Sequence, residues 1–186
     1  MTAGAGTTIA GWEASARAAG LDPPVDVAAR DSATFGGAIA PCAGGARGVR
    51  YGTMRHQVVG IEAVLADGRV VGSLAGLPKE TAGLHWPSLL TGSEGTLGVV
   101  TAARLRLVPR HEHRVTAMVA LSTVGDAAAL AGTLRTELST LDSLEIVFPA
   151  AVELVARHLG ERAPVDASGP VVIVECAAHV DPTDEL

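Results

Sequence analysis

Two glycine-dense stretches constrain this chain more than any other feature. The first is Thr34-Phe35-Gly36-Gly37-Ala38-Ile39-Ala40-Pro41-Cys42-Ala43-Gly44-Gly45, closed by Arg50-Tyr51-Gly52. The second is Gly92-Ser93-Glu94-Gly95-Thr96-Leu97-Gly98-Val99-Val100-Thr101. Glycine is costly to order, so runs this rich in it mark places where backbone must approach something closely. Tight turns inside the fold are one such use. A ligand is the other, because N–H groups unobstructed by side chains can reach a phosphate or a flat ring. Composition alone leaves the two readings level.

The chain has 186 residues, room for about one domain or one and a half. Hydrophobic residues make up 48% and aromatics only 3%, so the core is built from Ala, Val and Leu, and disorder is excluded. A formal net charge of -6 argues against a nucleic-acid partner. Lys79 is the single lysine. Cys42 and Cys176 lie in dissimilar contexts and suggest no disulfide framework. No run reaches transmembrane length, and residues 1–10 lack the basic-then-apolar order of a secretory signal. A reduced, cytoplasmic setting is the default.

Periodicity predicts a helix over Thr8–Ala19, with Ile9, Trp12, Ala16 and Ala19 on one face and Gly20 as its stop. Gly4-Ala5-Gly6 is no dinucleotide fingerprint: Ile9 stands where a third glycine is needed, and the chain begins too close to supply the preceding strand. Residues 21–33 and 73–83 read as loops. Val58–Leu65 is a strand, Asp67-Gly68 a hairpin turn, and Arg69–Gly72 the return. His85–Leu90 is a short helix with Pro87 in its first turn. Gly98–Val108 is a second long strand with one polar and one apolar face. Pro109-Arg110-His111-Glu112-His113 marks a domain boundary, giving domains 1–110 and 111–186. Beyond it come a strand (Val115–Leu121), a helix capped by Asp126 (to Leu138), a strand (Leu144–Phe148), a helix (Pro149–Leu159, stopped by Gly160) and a buried strand (Val171–Cys176). That β-α-β-α-β order suggests half or more of a ferredoxin-like α+β layer.

The two glycine runs, taken together, resemble the second half of the flavin-binding domain of the FAD-linked oxidases. That fold is shared by vanillyl-alcohol oxidase and p-cresol methylhydroxylase, and the glycolate oxidase and D-lactate dehydrogenase branch is the most similar. Its pattern is similar to A-T-x-G-G-x-x-A-T-N-A-G-G-x-x-x-x-R-Y-G, followed by G-S-E-G-T-L-G-V-[IV]-T, and residues 92–101 match the second part without a gap. The resemblance runs from near Met1 to about Pro109, with a weaker likeness to the start of the family's substrate domain after it. It implies an α+β fold: the second subdomain of the p-cresol methylhydroxylase-type FAD-binding fold, then a truncated ferredoxin-like substrate domain.

The implied cofactor is FAD, and the implied activity is oxidation of D-2-hydroxy acids such as glycolate or D-lactate by hydride transfer to it. The resemblance places Ala33, Thr34, Gly36 and Gly37 beside the pyrophosphate and ribityl chain. Pro41, Cys42, Ala43, Gly44 and Gly45 fall near the ring, and Tyr51 and Gly52 are further cofactor-binding residues. Glu94, Gly95, Thr96, Leu97, Gly98, Val99 and Val100 fall on the adenosine side. The family's earlier glycine loop, similar to P-x-G-G-G-T, precedes Met1, and its His-rich substrate and metal motif does not appear before Leu186. Expected partners are therefore a small-molecule substrate and a chain supplying the missing half of the flavin domain. Two other readings stay open: a non-catalytic interaction module, and a flavoenzyme of other chemistry on the same fold.

The remaining candidates are weaker. Cys42 stands where the family usually has asparagine, and no His or Lys adjacent in sequence would lower its pKa. His111 and His113 flank Glu112 without a further ligand cluster, so no metal site is expected. Lys79-Glu80-Thr81-Ala82-Gly83-Leu84 departs from a family run similar to K-D-N-T-G-Y, and His85 stands where relatives often carry aspartate. No catalytic residue is assigned.

Overall fold

A computed structural model describes residues 1–77 and 79–186, so Pro78, within the loop expected at 73–83, lies outside the described residues. The chain divides into two compact units, Met1–Arg110 and His111–Leu186, each of mixed helix and strand.

The first unit is built on β1 (Thr2–Gly4), α1 (Ile9–Ala18), β2 (Leu21–Asp22), α2 (Phe35–Ile39), α3 (Gly48–Tyr51), α4 (Met54–Gln57), β3 (Val58–Val64), β4 (Val70–Ser73), α5 (Trp86–Leu90), β5 (Val99–Leu105) and β6 (Val108–Pro109). Four strands form an antiparallel sheet in the order β1-β5-β3-β4, and β2 pairs with β6 separately. A strand thus does precede Gly4-Ala5-Gly6, but it runs antiparallel to β5, unlike the parallel βαβ unit of a dinucleotide fold. Thr8 caps α1 by accepting the Gly11 N–H at 3.0 Å. Ile9, Trp12 and Ala16 are buried as the periodicity predicts, whereas Ala19 is the exposed C-cap. Trp12 meets Phe35 edge-to-face at 5.2 Å, and around this pair pack Ile39, Met54, Val58, Ile61, Leu90 and Leu105.

The expected strand 98–108 is two strands. At Arg106 the N–H turns to Gln57 O at 2.9 Å, and the chain resumes at Val108 against β2. Buried Ala103 and Leu105 form its apolar face, while Arg104 and Arg106 are exposed.

The second unit contains β7 (His113–Ala120), α6 (Val124–Glu137), β8 (Leu141–Val147), α7 (Pro149–Leu159) and β9 (Val171–Ala178), then a 3-10 turn at Thr183–Glu185. Its sheet order is β7-β9-β8, with β9 antiparallel to both neighbours. Helix α6 begins earlier than expected: Thr123 is its N-cap, and Asp126 sits three residues in and closes a capping box back to the Thr123 N–H at 3.1 Å. Strand β8 also begins early, at Leu141, because Asp142 is fully buried and held by Arg114 of β7 at 3.2 Å. Arg114 reaches Glu175 of β9 as well. Helix α7 runs from Pro149 to a left-handed Gly160 cap, and Cys176 is buried in β9, as expected. Among the described residues no helix is long and apolar enough to cross a membrane.

Candidate cofactor site

The first glycine run is anchored at its start. Thr34 Oγ1 accepts the Gly37 N–H at 3.2 Å and begins α2, and Phe35 drives into the core. The Phe35 N–H donates to Thr7 O and the Gly36 N–H to Ala5 O, each at 2.9 Å, while Ala33 O accepts from Ile9 N at 2.8 Å. The run therefore lies against the turn between β1 and α1. Beyond α2 the chain folds back: Cys42 N donates to Ile39 O at 3.0 Å and Ala43 N to Ala38 O at 2.8 Å. Ala43 O then accepts the Met54 N–H at 2.8 Å, tying the loop to α4. Tyr51 lies under two arginines, with the Arg47 and Arg50 guanidinium carbons 4.6 Å and 5.4 Å from its ring centre. Gln57 Nε2 donates to Tyr51 O at 2.5 Å.

The second run meets the first directly. The Gly92 N–H donates to Ile39 O at 3.1 Å and the Glu94 N–H to Ala40 O at 2.9 Å. Arg55 of α4 secures the turn before it, donating to Ser88 O at 2.5 Å and to Thr91 O at 2.7 Å. Thr96 closes on Ser93 O through both its N–H and its hydroxyl, at 2.9 Å and 2.6 Å. From Gly98 the chain enters β5, where Val99 and Val100 pair with Val64 and Ala63 of β3. Arg55 is a contributor that sequence patterns do not reveal: its carbonyl partners lie 33 and 36 positions along the chain and leave no periodic signal.

The described structure permits a test of fit for a nucleotide cofactor. Many amides of the two runs serve the fold itself, including those of Gly36, Gly37, Cys42, Ala43, Gly92, Glu94 and Thr96. The glycine at 45 has an internal reason too: its φ is +129°, and a Cβ there would lie 1.9 Å from Asp26 O. Other amides differ: the N–H groups of Thr34, Gly44, Gly45, Gly95, Leu97 and Gly98 meet no acceptor among the described residues. Gly95 (φ +79°) follows Glu94 (φ +51°), and nothing lies within 4 Å of where its Cβ would be. The Glu94 amide is taken by Ala40 O, so this turn offers the Gly95 amide, in open space, to an anionic oxygen. The donor set and the open rim fit an FAD molecule.

Elsewhere the candidates do not assemble. The His111 ring sits 4.9 Å from that of His179. Among the described residues no three His, Cys, Asp or Glu side chains converge as metal ligands would.

Comparison with known proteins accords with this geometry. Residues 1–73 match the FAD binding domain family. The chain is 36% identical over 159 residues to the mitochondrial D-2-hydroxyglutarate dehydrogenase of Bos taurus, covering 85% of this chain and 29% of that protein. It is 38% identical over 159 residues to the D-lactate dehydrogenase of Archaeoglobus fulgidus, covering 86% of this chain and 35% of that one. The fold matches alkyldihydroxyacetonephosphate synthase with a TM-score of 0.73 at 19% identity, over 95% of this chain and 34% of that one. The chain thus spans about a third of the length of the relatives it matches. With the glycine runs stitched together and these relatives in view, the chain is a relative of the FAD-linked oxidases, in the branch of the D-lactate and D-2-hydroxyglutarate dehydrogenases.

Proposed function

We propose that this chain forms one wall of an FAD site in an oxidoreductase acting on D-2-hydroxy acids. The observation that carries the reading is the pair of hydrogen bonds from Gly92 to Ile39 and from Glu94 to Ala40, which bring the two glycine runs to one rim. Gly95 offers its amide to a phosphate oxygen, with Glu94, Thr96, Leu97, Gly98, Val99 and Val100 along the adenosine side. Ala33, Thr34, Gly36 and Gly37 shape the turn beside the pyrophosphate and ribityl chain. Pro41, Cys42 and Ala43 flank the ring, where Gly44 and Gly45 present free amides to its polar edge, with Tyr51 and Gly52 behind them. When bound, FAD supplies the acceptor for the hydride leaving the hydroxy-acid carbon.

In this reading residues 1–110 are the second half of the FAD-binding domain and residues 111–186 part of the substrate domain. A ferredoxin-like layer for the latter is supported by β7 and β8, which run parallel on either side of β9 with α6 between them in sequence. The opposite wall of the site comes from residues beyond these, on the same polypeptide or on a partner, in keeping with the third of the relatives' length that the chain spans. Both cysteines are free thiols, which suits a reduced, cytoplasmic compartment.

The test is the visible spectrum of the purified chain after incubation with FAD and desalting. A retained band near ~450 nm is expected, the signature of bound flavin, followed by bleaching on addition of a D-2-hydroxy acid once the opposite wall is supplied. A chain that releases all FAD both alone and with that wall present would refute the reading in favour of an interaction module.

A further inference from the structure

A second cavity, of about 670 Å³, opens in the first unit where β3 begins and β5 ends. None of the residues assigned to FAD lines it. Val58, Val59, Leu77, Leu105 and Leu107 supply its apolar walls, and its charged side chains have one sign: Arg55, Arg104 and Arg106, with no carboxylate. The chain is acidic overall, with 20 Asp and Glu against 14 Lys and Arg. Acidic partners were therefore plentiful, yet among the described residues none of the three guanidiniums is paired with a carboxylate. Two of them are instead oriented by main-chain carbonyls. Arg55 donates to Ser88 O and Thr91 O, and Arg104 donates to Ala75 O at 2.5 Å. Carbonyls fix an arginine's direction without neutralising its charge. The Arg106 side chain has no hydrogen-bond partner among the described residues; only its main-chain N–H is engaged, with Gln57 O.

Like charges gathered around one concavity repel each other, and bound anionic oxygens relieve that repulsion. Arginine forks match the geometry of phosphate oxygens. We propose that this cavity binds a phosphate group, with Arg106 as its unengaged donor and Arg55 and Arg104 as a fixed positive background. The group belongs to a phosphorylated small molecule separate from FAD, whose pyrophosphate is assigned to other residues, so the proposal does not rest on the flavin reading.

The test is calorimetric titration of the intact chain with inorganic phosphate at constant ionic strength. Saturable binding is expected. Arg106→Gln should weaken it about tenfold, the scale of one charge-assisted contact, while the distant, exposed Arg69→Gln should leave it unchanged. In the unsubstituted chain, the Arg106 side-chain N–H resonance should move as phosphate is added, a readout that needs no variant to fold. Repeating the titration with FAD present should leave phosphate binding unchanged, and its loss would overturn the assignment to a separate ligand. Phosphate binding in a chain that takes up no FAD leaves this proposal standing while the flavin reading falls. The proposal is overturned by absence of saturable binding, by equal binding in Arg106→Gln, by an unmoved Arg106 resonance, or by binding of a poly-glutamate peptide where phosphate is inert.

Discussion

Alanine at three glycines should separate three jobs that one residue type performs in this fold. At Gly45 the backbone has φ +129° and a Cβ would lie 1.9 Å from Asp26 O, which is main chain and cannot swing aside. A side chain in that conformation costs about 1–3 kcal/mol, and forcing the two segments apart adds about 1–3 kcal/mol more. Gly45→Ala should therefore cost about 4 kcal/mol, a fall in Tm of at least about 15 °C for a unit of this size. At Gly95 the φ of +79° is unfavourable but the space is open, so alanine should cost only the left-handed strain, about 1 kcal/mol. At Gly6 there is neither positive φ nor a neighbour within 4 Å, and alanine should change stability by less than about 0.5 kcal/mol. Both tryptophans, Trp12 and Trp86, lie in the first unit, so urea titrations followed by their fluorescence report that unit alone. Equal losses at Gly45 and Gly95, or a Gly45→Ala protein as stable as the parent, would refute the reasoning.

Two further outcomes concern the second unit. Thr123→Ala removes the hydroxyl that accepts the Asp126 N–H, while the main-chain N–H at 123 keeps its bond to the Asp126 carboxylate; it should lower that unit's stability by about 1 kcal/mol, measured by far-ultraviolet circular dichroism on melting. Glu185 is held below the usual carboxylate range, first by the Thr140 hydroxyl, with Ser139 adding to it. A carboxyl whose folded pKa is depressed contributes stability that is present above its unfolded value and lost as pH falls through the folded one. The 3-10 turn at Thr183–Glu185 should therefore detach from Thr140 as the solution is acidified below the ordinary glutamate range. The Thr140 amide resonance should report this in a pH titration, and Glu185→Gln should flatten its response.

What could be read from the sequence was local. Thr8 and Gly20 bracket α1, Asp67-Gly68 turns the hairpin, and Pro149 and Gly160 bound α7, each through the backbone preferences of one or two residues. What escaped depends on partners far along the chain. Asp142 looks like a loop residue until Arg114, 28 positions earlier, is seen to hold it inside the sheet. The strand expected to run through Arg106 divides there into β5 and β6, the second pairing with β2 at residues 21–22, and no pattern within 98–108 announces that. The glycine runs were conspicuous, but the reasons for their glycines are mixed. Gly45 answers to Asp26, whereas Gly95 faces open space, and only coordinates tell an internal close approach from a free amide.

Cys42 draws these threads together. Its φ is +56°, in the left-handed region that asparagine enters more readily than other side chains, and the related pattern carries asparagine at this position. The preference is thus explained by backbone conformation alone, before any contact with a cofactor. Cysteine is tolerated because it is small and half-buried and its Sγ lies 3.3 Å from Thr53 Oγ1. Cys42→Asn should then stabilise the first unit by about 0.5–1 kcal/mol, since it relieves left-handed strain and its amide can still reach the Thr53 hydroxyl. Cys42→Val, branched at Cβ and unable to hydrogen-bond, should cost about 1–3 kcal/mol. Urea midpoints read from Trp12 and Trp86 fluorescence decide it. If Asn and Val shift the midpoint in the same direction, backbone conformation is not what selects the residue, and the asparagine of the related pattern has to be explained by what it touches in the cofactor.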